Sequence, residues 1–114
     1  MIEDDALTVL QRLDTALALI GDYWQTLSEG DERRYTESTA ALLRRERAKL
    51  ATAIERNDAA HVAWALRSVA DMRKGLIDIG GAWCDVRPDA WEYTMETANL
   101  AHRIERADRL AVGL

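Results

Sequence analysis

Residues 6–27 read ALTVLQRLDTALALIGDYWQTL, and the spacing within them decides the fold. Ala6, Leu10, Leu13, Leu17, Ile20, Trp24 and Leu27 recur at intervals of 4, 3, 4, 3, 4 and 3. At 3.6 residues per turn that rhythm puts all seven on one stripe, which predicts a helix of roughly 25 residues. A two-stranded coiled coil would carry charges beside the stripe, but the flanking positions are Val9, Ala16 and Tyr23. The apolar face is too wide for a single seam and suits a helix lying on a bundle core with more than one neighbour. Gly21 interrupts the pattern at a cost of about 1 kcal/mol relative to Ala; close helix approach or a slight bend would account for it.

Working outward, Gly30 reads as a helix stop and Asp31 as the cap of the next helix. That second helix is expected from about residue 32 to 56, with Tyr35, Leu42, Leu43, Leu50 and Ile54 buried. Its apolar face thins out between Arg44 and Lys49. Asn57-Asp58 supplies a turn and a new N-cap. A third helix then runs to about Ile79, with Val62, Leu66, Val69, Met72 and Leu76 on one face and Trp64 on another. Gly80-Gly81 ends it, and residues 82–87 have no periodicity. Pro88 opens the last helix, where Asp89 and Glu92 have capping-box spacing. Trp91, Met95 and Ala98 form its inward stripe, with Tyr93, Leu100 and Ile104 adjoining. The expected architecture is all-α: a four-helix up-down bundle-like domain with a long N-terminal helix, one domain across residues 1–114.

Composition agrees with that pattern. The 114 residues are 48% apolar and 31% charged, enough for a packed core. One proline and six glycines are too few turn formers for a sandwich or barrel. Thirteen Arg against two Lys, with 19 Ala, have the bias of a GC-rich genome and point to a bacterial or bacteriophage source. A net charge of -5 argues against a dedicated nucleic-acid binder, whose affinity comes from neutralising phosphates. No apolar run exceeds five residues, the length of Ala16 to Ile20, far short of the ~20 residues that span a bilayer. The first residues lack the basic and apolar regions of a signal peptide. Cys84 is the only cysteine, which fits a free thiol in a reducing compartment. A cytoplasmic protein is expected.

Catalytic constellations are sparse. Asp58 and His61 have the i, i+3 spacing of a carboxylate and imidazole on one helix face, as in di-iron bundles. The matching second copy is Asn99 and His102, and Asn is a poor ligand for such a metal; capping already explains Asp58. Gly80-Gly81 lacks the Lys-Ser/Thr of a phosphate loop. Ser28, Ser38 and Ser68 lie in no nucleophile-elbow motif, and nothing in the sequence pairs Cys84 with His102. No enzyme, cofactor or metal site is expected. Seven bases and five acids share residues 31–57, while Glu105 and Asp108 interleave with Arg103, Arg106 and Arg109, so both basic runs read as solvated helix faces. Residues 2–27 instead carry five acids against Arg12 alone, an asymmetry that could pair helices within the chain or between two chains.

The four tryptophans carry the remaining information. Trp24 falls on the first stripe and is expected in the core. Trp83, Arg87 and Trp91 could form a protein-binding cluster, since Trp and Arg are enriched at interface hot spots; the plainer role is to plug the end of the bundle. The functional expectation is a non-catalytic interaction protein that binds another protein, itself a homodimer through the wide apolar face of residues 6–27. One alternative is a phage-encoded inhibitor of a bacterial enzyme or defence complex, in the role that anti-CRISPR proteins play. Another is a small-molecule or metal-binding bundle using Asp58, His61 and the tryptophans. Nucleic acid and membrane are not expected partners.

Overall fold

A computed structural model describes residues 2–79 and 88–113. They form four helices: α1 (Ile2–Gln25), α2 (Asp31–Glu55), α3 (Ala59–Ile79) and α4 (Pro88–Gly113). Each helix packs on its neighbour in the chain, α4 closes against α1, and α1 also approaches α3 across the bundle axis. The result is an elongated up-down bundle, 50 × 23 × 18 Å. Among the described residues no helix is long and apolar enough to cross a membrane.

The helix ends follow local chemistry. The Thr26 backbone N–H and hydroxyl both reach the Tyr23 carbonyl, at 3.0 and 2.6 Å, and close α1. Gly30, and not Asp31, caps α2: its φ of 154° is a conformation that L side chains rarely adopt. Asp31 becomes the first helical residue, where its charge favours the helix dipole. Asn57 takes the left-handed conformation at φ 52° to end α2. Asp58 then caps α3 as expected, its Oδ1 accepting from the Ala60 and His61 backbone N–H groups at 3.0 and 3.5 Å. Pro88 is the first residue of α4.

The buried stripe of α1 is rotated from the expected one. Ala6, Val9, Leu13, Ala16, Ile20 and Tyr23 are buried, whereas Leu10, Leu17, Trp24 and Leu27 are only half-buried. At 100° per residue the inward direction shifts by about 50°. Arg12 and Asp14 fix the rotation from either side of Leu13. Arg12 reaches α4, donating to Thr97 Oγ1 at 3.1 Å and the Tyr93 carbonyl at 3.2 Å, while Asp14 pairs with Arg47 on α2. Small residues (Ala6, Val9, Ala16) and large ones (Leu13, Ile20, Tyr23) thus share the axis, and Leu17 and Trp24 lie at the α1–α2 seam. The other helices cover the rotated stripe, while Leu10, Leu17, Trp24 and Leu27 keep part of their surface in solvent.

α2 and α4 differ more from expectation, because polar residues hold inward positions. On α2 the buried set is Thr36, Thr39, Ala40, Leu43, Glu46, Leu50 and Ala53. Tyr35, expected inside, is 44% exposed, and Thr36 takes the inward position beside it. On α4 the axis is lined by Ala90, Thr94, Thr97, Ala98, Ala101 and Glu105; Trp91, Tyr93, Met95, Leu100 and Ile104 are half-buried at its flanks. The threonine hydroxyls lose little by burial. Thr36, Thr39, Thr94 and Thr97 each donate to the carbonyl four residues back, at 2.7–2.9 Å. The inward face of α3 is the expected one: Val62, Leu66, Val69, Met72 and Leu76 are buried. Close approach occurs at Gly75, where an added Cβ would lie 3.2 Å from Leu42 Cδ2, and not at Gly21, around which there is open space.

Candidate functional site

Two tryptophans lie outside the core, and for Trp24, expected inside, the local chemistry supplies the reason. An indole carries a large apolar ring and one N–H that requires an acceptor. Trp24, expected in the core, sits instead at the α1–α2 seam: its Nε1 donates to Glu37 Oε1 at 3.0 Å. The Arg33 guanidinium lies 4.0 Å from the Trp24 ring centroid and 3.8 Å from the same Glu37 oxygen. Trp24, Arg33 and Glu37 therefore form one cluster in which the ring, the cation and the carboxylate satisfy one another. Beside it a cleft of about 320 Å³ is lined by Leu17, Ile20, Gly21, Ala40 and Arg44.

Trp64 lies on the outward side of α3 and is 51% exposed. His61, one turn earlier, meets it edge-on, with ring centroids 5.5 Å apart and planes at 88°. Lys49 of α2 reaches over from the other side, its Nζ 5.7 Å from the Trp64 centroid. Asp58, Ala60, His61 and Trp64 line a shallow, open depression. Asp58 is occupied as the α3 cap, and among the described residues no three His, Cys, Asp or Glu side chains gather as metal ligands would.

Between these surfaces, two buried carboxylates tie α3 to its neighbours. Glu46 is 3% exposed, accepts from Ser68 Oγ at 2.6 Å and Lys49 Nζ at 3.4 Å, and lies 3.5 Å from Arg45 Nε. Lys49 Nζ also donates to Ser68 Oγ at 3.2 Å, which closes a three-residue ring. Glu105, equally buried, accepts from Arg67 at 2.8 Å and Arg109 at 3.3 Å. Adjacent residues Arg67 and Ser68 thus hold α3 to α4 and to α2. The basic run of α2 is dispersed by the same contacts: Arg45 and Lys49 go to Glu46, Arg47 goes to Asp14, and Arg44 is left at the cleft.

The Arg47 pKa is raised above its ordinary value by its hydrogen bond to Asp14 and by that carboxylate's charge; Glu105 does the same for Arg67. A raised cation pKa adds stability that is complete below the ordinary arginine value and is lost only as pH climbs through the raised one. Neither pair makes folding pH-dependent near neutrality.

Of the expected protein-binding cluster, Trp83 and Arg87 lie outside the described residues, as does Cys84. Trp91 is half-buried and packs against the core at the start of α4. The sequence reading missed the partners of Trp24 and Trp64, since Arg33, Glu37 and Lys49 come from a neighbouring helix and share no local motif with either ring. One signal was legible: an indole N–H at the end of α1 needs an acceptor, and Arg33 and Glu37 stand four residues apart just beyond the turn.

Fold and surface together define an all-α four-helix bundle that, among the described residues, presents two tryptophan–cation clusters. No family model, curated protein sequence or solved structure matches the chain.

Proposed function

We propose that this chain is a non-catalytic helical interaction protein that works by binding another protein. The observation that carries the reading is Trp64: a tryptophan 51% exposed on a helix, with a lysine over its ring and a histidine at its edge. A large exposed ring loses apolar surface to water, which burial under a partner would recover. Tryptophan is also the residue type most enriched among interface anchors. Lys49 and His61 give the anchor a polar surround, as the rim of an interface requires.

The binding surface moves accordingly. Part of the α1 stripe is buried by the other helices, and the largest exposed ring is Trp64, so the partner engages the α2–α3 face around it. A second copy docking through this face is the homodimer form of the proposal. Inhibition of an enzyme or defence complex is the form it takes if the partner is such an assembly. The test uses the full chain as bait against host lysate, with wild type, Trp64→Ala and an Arg73→Ala control in parallel. Arg73 is exposed on the same helix. The expected result is a protein recovered by wild type and Arg73→Ala and depleted with Trp64→Ala. Equal recovery by all three baits contradicts the proposal. Light scattering across concentration reads the dimer form: a mass that stays monomeric removes it.

A further inference from the structure

The cleft between α1 and α2 is a site separate from the Trp64 face. Its wall is apolar, formed by Leu17, Ile20 and Trp24 of α1 and Ala40 of α2. Gly21 also lines it. A helix-interior glycine costs stability and is retained where backbone must approach closely or where space must stay open. Close approach does not apply, because a Cβ at position 21 would meet nothing within 4 Å. Space is what the glycine provides.

The charges lining the cleft are unequal in their engagement. Glu37 already accepts the Trp24 indole N–H and faces Arg33. The Arg44 side chain forms no ion pair or hydrogen bond among the described residues. A cleft with an apolar wall and one unengaged guanidinium complements a molecule with a compact apolar body and a single negative charge. The other depressions lack this combination. Between the ends of α1 and α4, Arg103 is flanked by Asp5 and Asp108. At the start of α2, Arg34 is already paired with Asp31.

We propose that the α1–α2 cleft binds a small monocarboxylate with an aryl or short alkyl body. The body lies against Leu17, Ile20, Gly21 and Trp24, and the carboxylate meets Arg44. A dianion such as a phosphate monoester would bring a second charge that one guanidinium does not match, and a cation would face Arg44 itself.

The experiment titrates 3-phenylpropanoate into the ¹⁵N-labelled full chain and follows the Trp24 indole and Gly21 amide resonances. The indole signal is assigned by its loss in Trp24→Phe. Both resonances are expected to shift saturably, with a dissociation constant on the order of 1 mM for so small a ligand. The cationic isostere 3-phenylpropylammonium is expected to bind at least roughly tenfold more weakly, and Arg44→Gln to weaken the carboxylate by a similar factor. Gly21→Leu, which fills the open space, is expected to abolish the shifts while melting no lower than wild type, so that misfolding is not mistaken for a blocked cleft. Absence of a saturable shift up to roughly 20 mM overturns the proposal. So does equal binding of the ammonium isostere, or unchanged binding in a folded Gly21→Leu protein.

Discussion

α1 and α2 are almost equal in length and lie against each other, yet they solve the problem of facing a core differently. The inward side of α1 is apolar from Ala6 to Tyr23, whereas that of α2 holds Thr36, Thr39 and Glu46 among its aliphatic residues. In α1 the buried side is set by apolar side chains, with Arg12 and Asp14 bonding to α4 and α2 at its edges. In α2 the fixing is shared with hydrogen bonds: the threonines bond back along their own helix, and Glu46 reaches Ser68 on α3. A helix can therefore present polar residues to a core without leaving polar groups unpaired. Such a helix is specified by partners distant in sequence.

The largest test of this contrast is truncation on α1. Leu13→Ala is expected to cost roughly 3 kcal/mol in urea unfolding, and Leu17→Ala about half as much, because only Leu13 faces the axis. Equal losses would return the buried stripe to the position its spacing suggested. Next comes Glu46→Ala, with an expected cost of about 2 kcal/mol from the bonds it receives. Pairing Glu46→Leu with Ser68→Ala removes both ends of the closest bond, and chemical denaturation should show the double variant more stable than the sum of the single losses predicts. Strict additivity would mean that Glu46 and Ser68 act independently.

A smaller effect of opposite sign is expected on α1. Gly21→Ala gains helix propensity and meets no neighbour, so stability should rise by about 0.5–1 kcal/mol and the melting temperature by about 3–5 °C. A drop would reveal packing at Gly21 that the open cleft does not show. Smallest is the exposed link between the two helices. Asp14→Asn, which uncouples Arg47, is expected to cost about 0.2–0.5 kcal/mol, and calorimetry in added salt should shrink the difference.

The same contrast explains how much could be read from the sequence. The four helices, the Asp58 cap and the Pro88 start were legible because each depends on neighbours within a few residues. The inward face of α3 was legible too, since its burial is apolar throughout. The faces of α2 and α4 were not: a helical Thr looks solvent-facing although its own helix can take its hydroxyl, and a Glu does so until its donor on another helix is known. Trp24 was misplaced for a related reason. Its spacing fits the stripe, but its indole N–H is satisfied by Glu37 across a turn, and that bond holds the ring at the seam. Trp64 was placed off the inward face correctly, with His61 one turn away on the same helix, while the approach of Lys49 became visible only with α2 and α3 side by side.

That exposed ring carries the functional account, and calorimetric titration of the purified partner recovered with the wild-type bait tests it most directly. Trp64→Ala is expected to raise the dissociation constant by roughly 30-fold or more, the loss of an anchor worth about 2 kcal/mol, with the melting temperature unchanged. An unchanged dissociation constant for a folded Trp64→Ala protein contradicts the account.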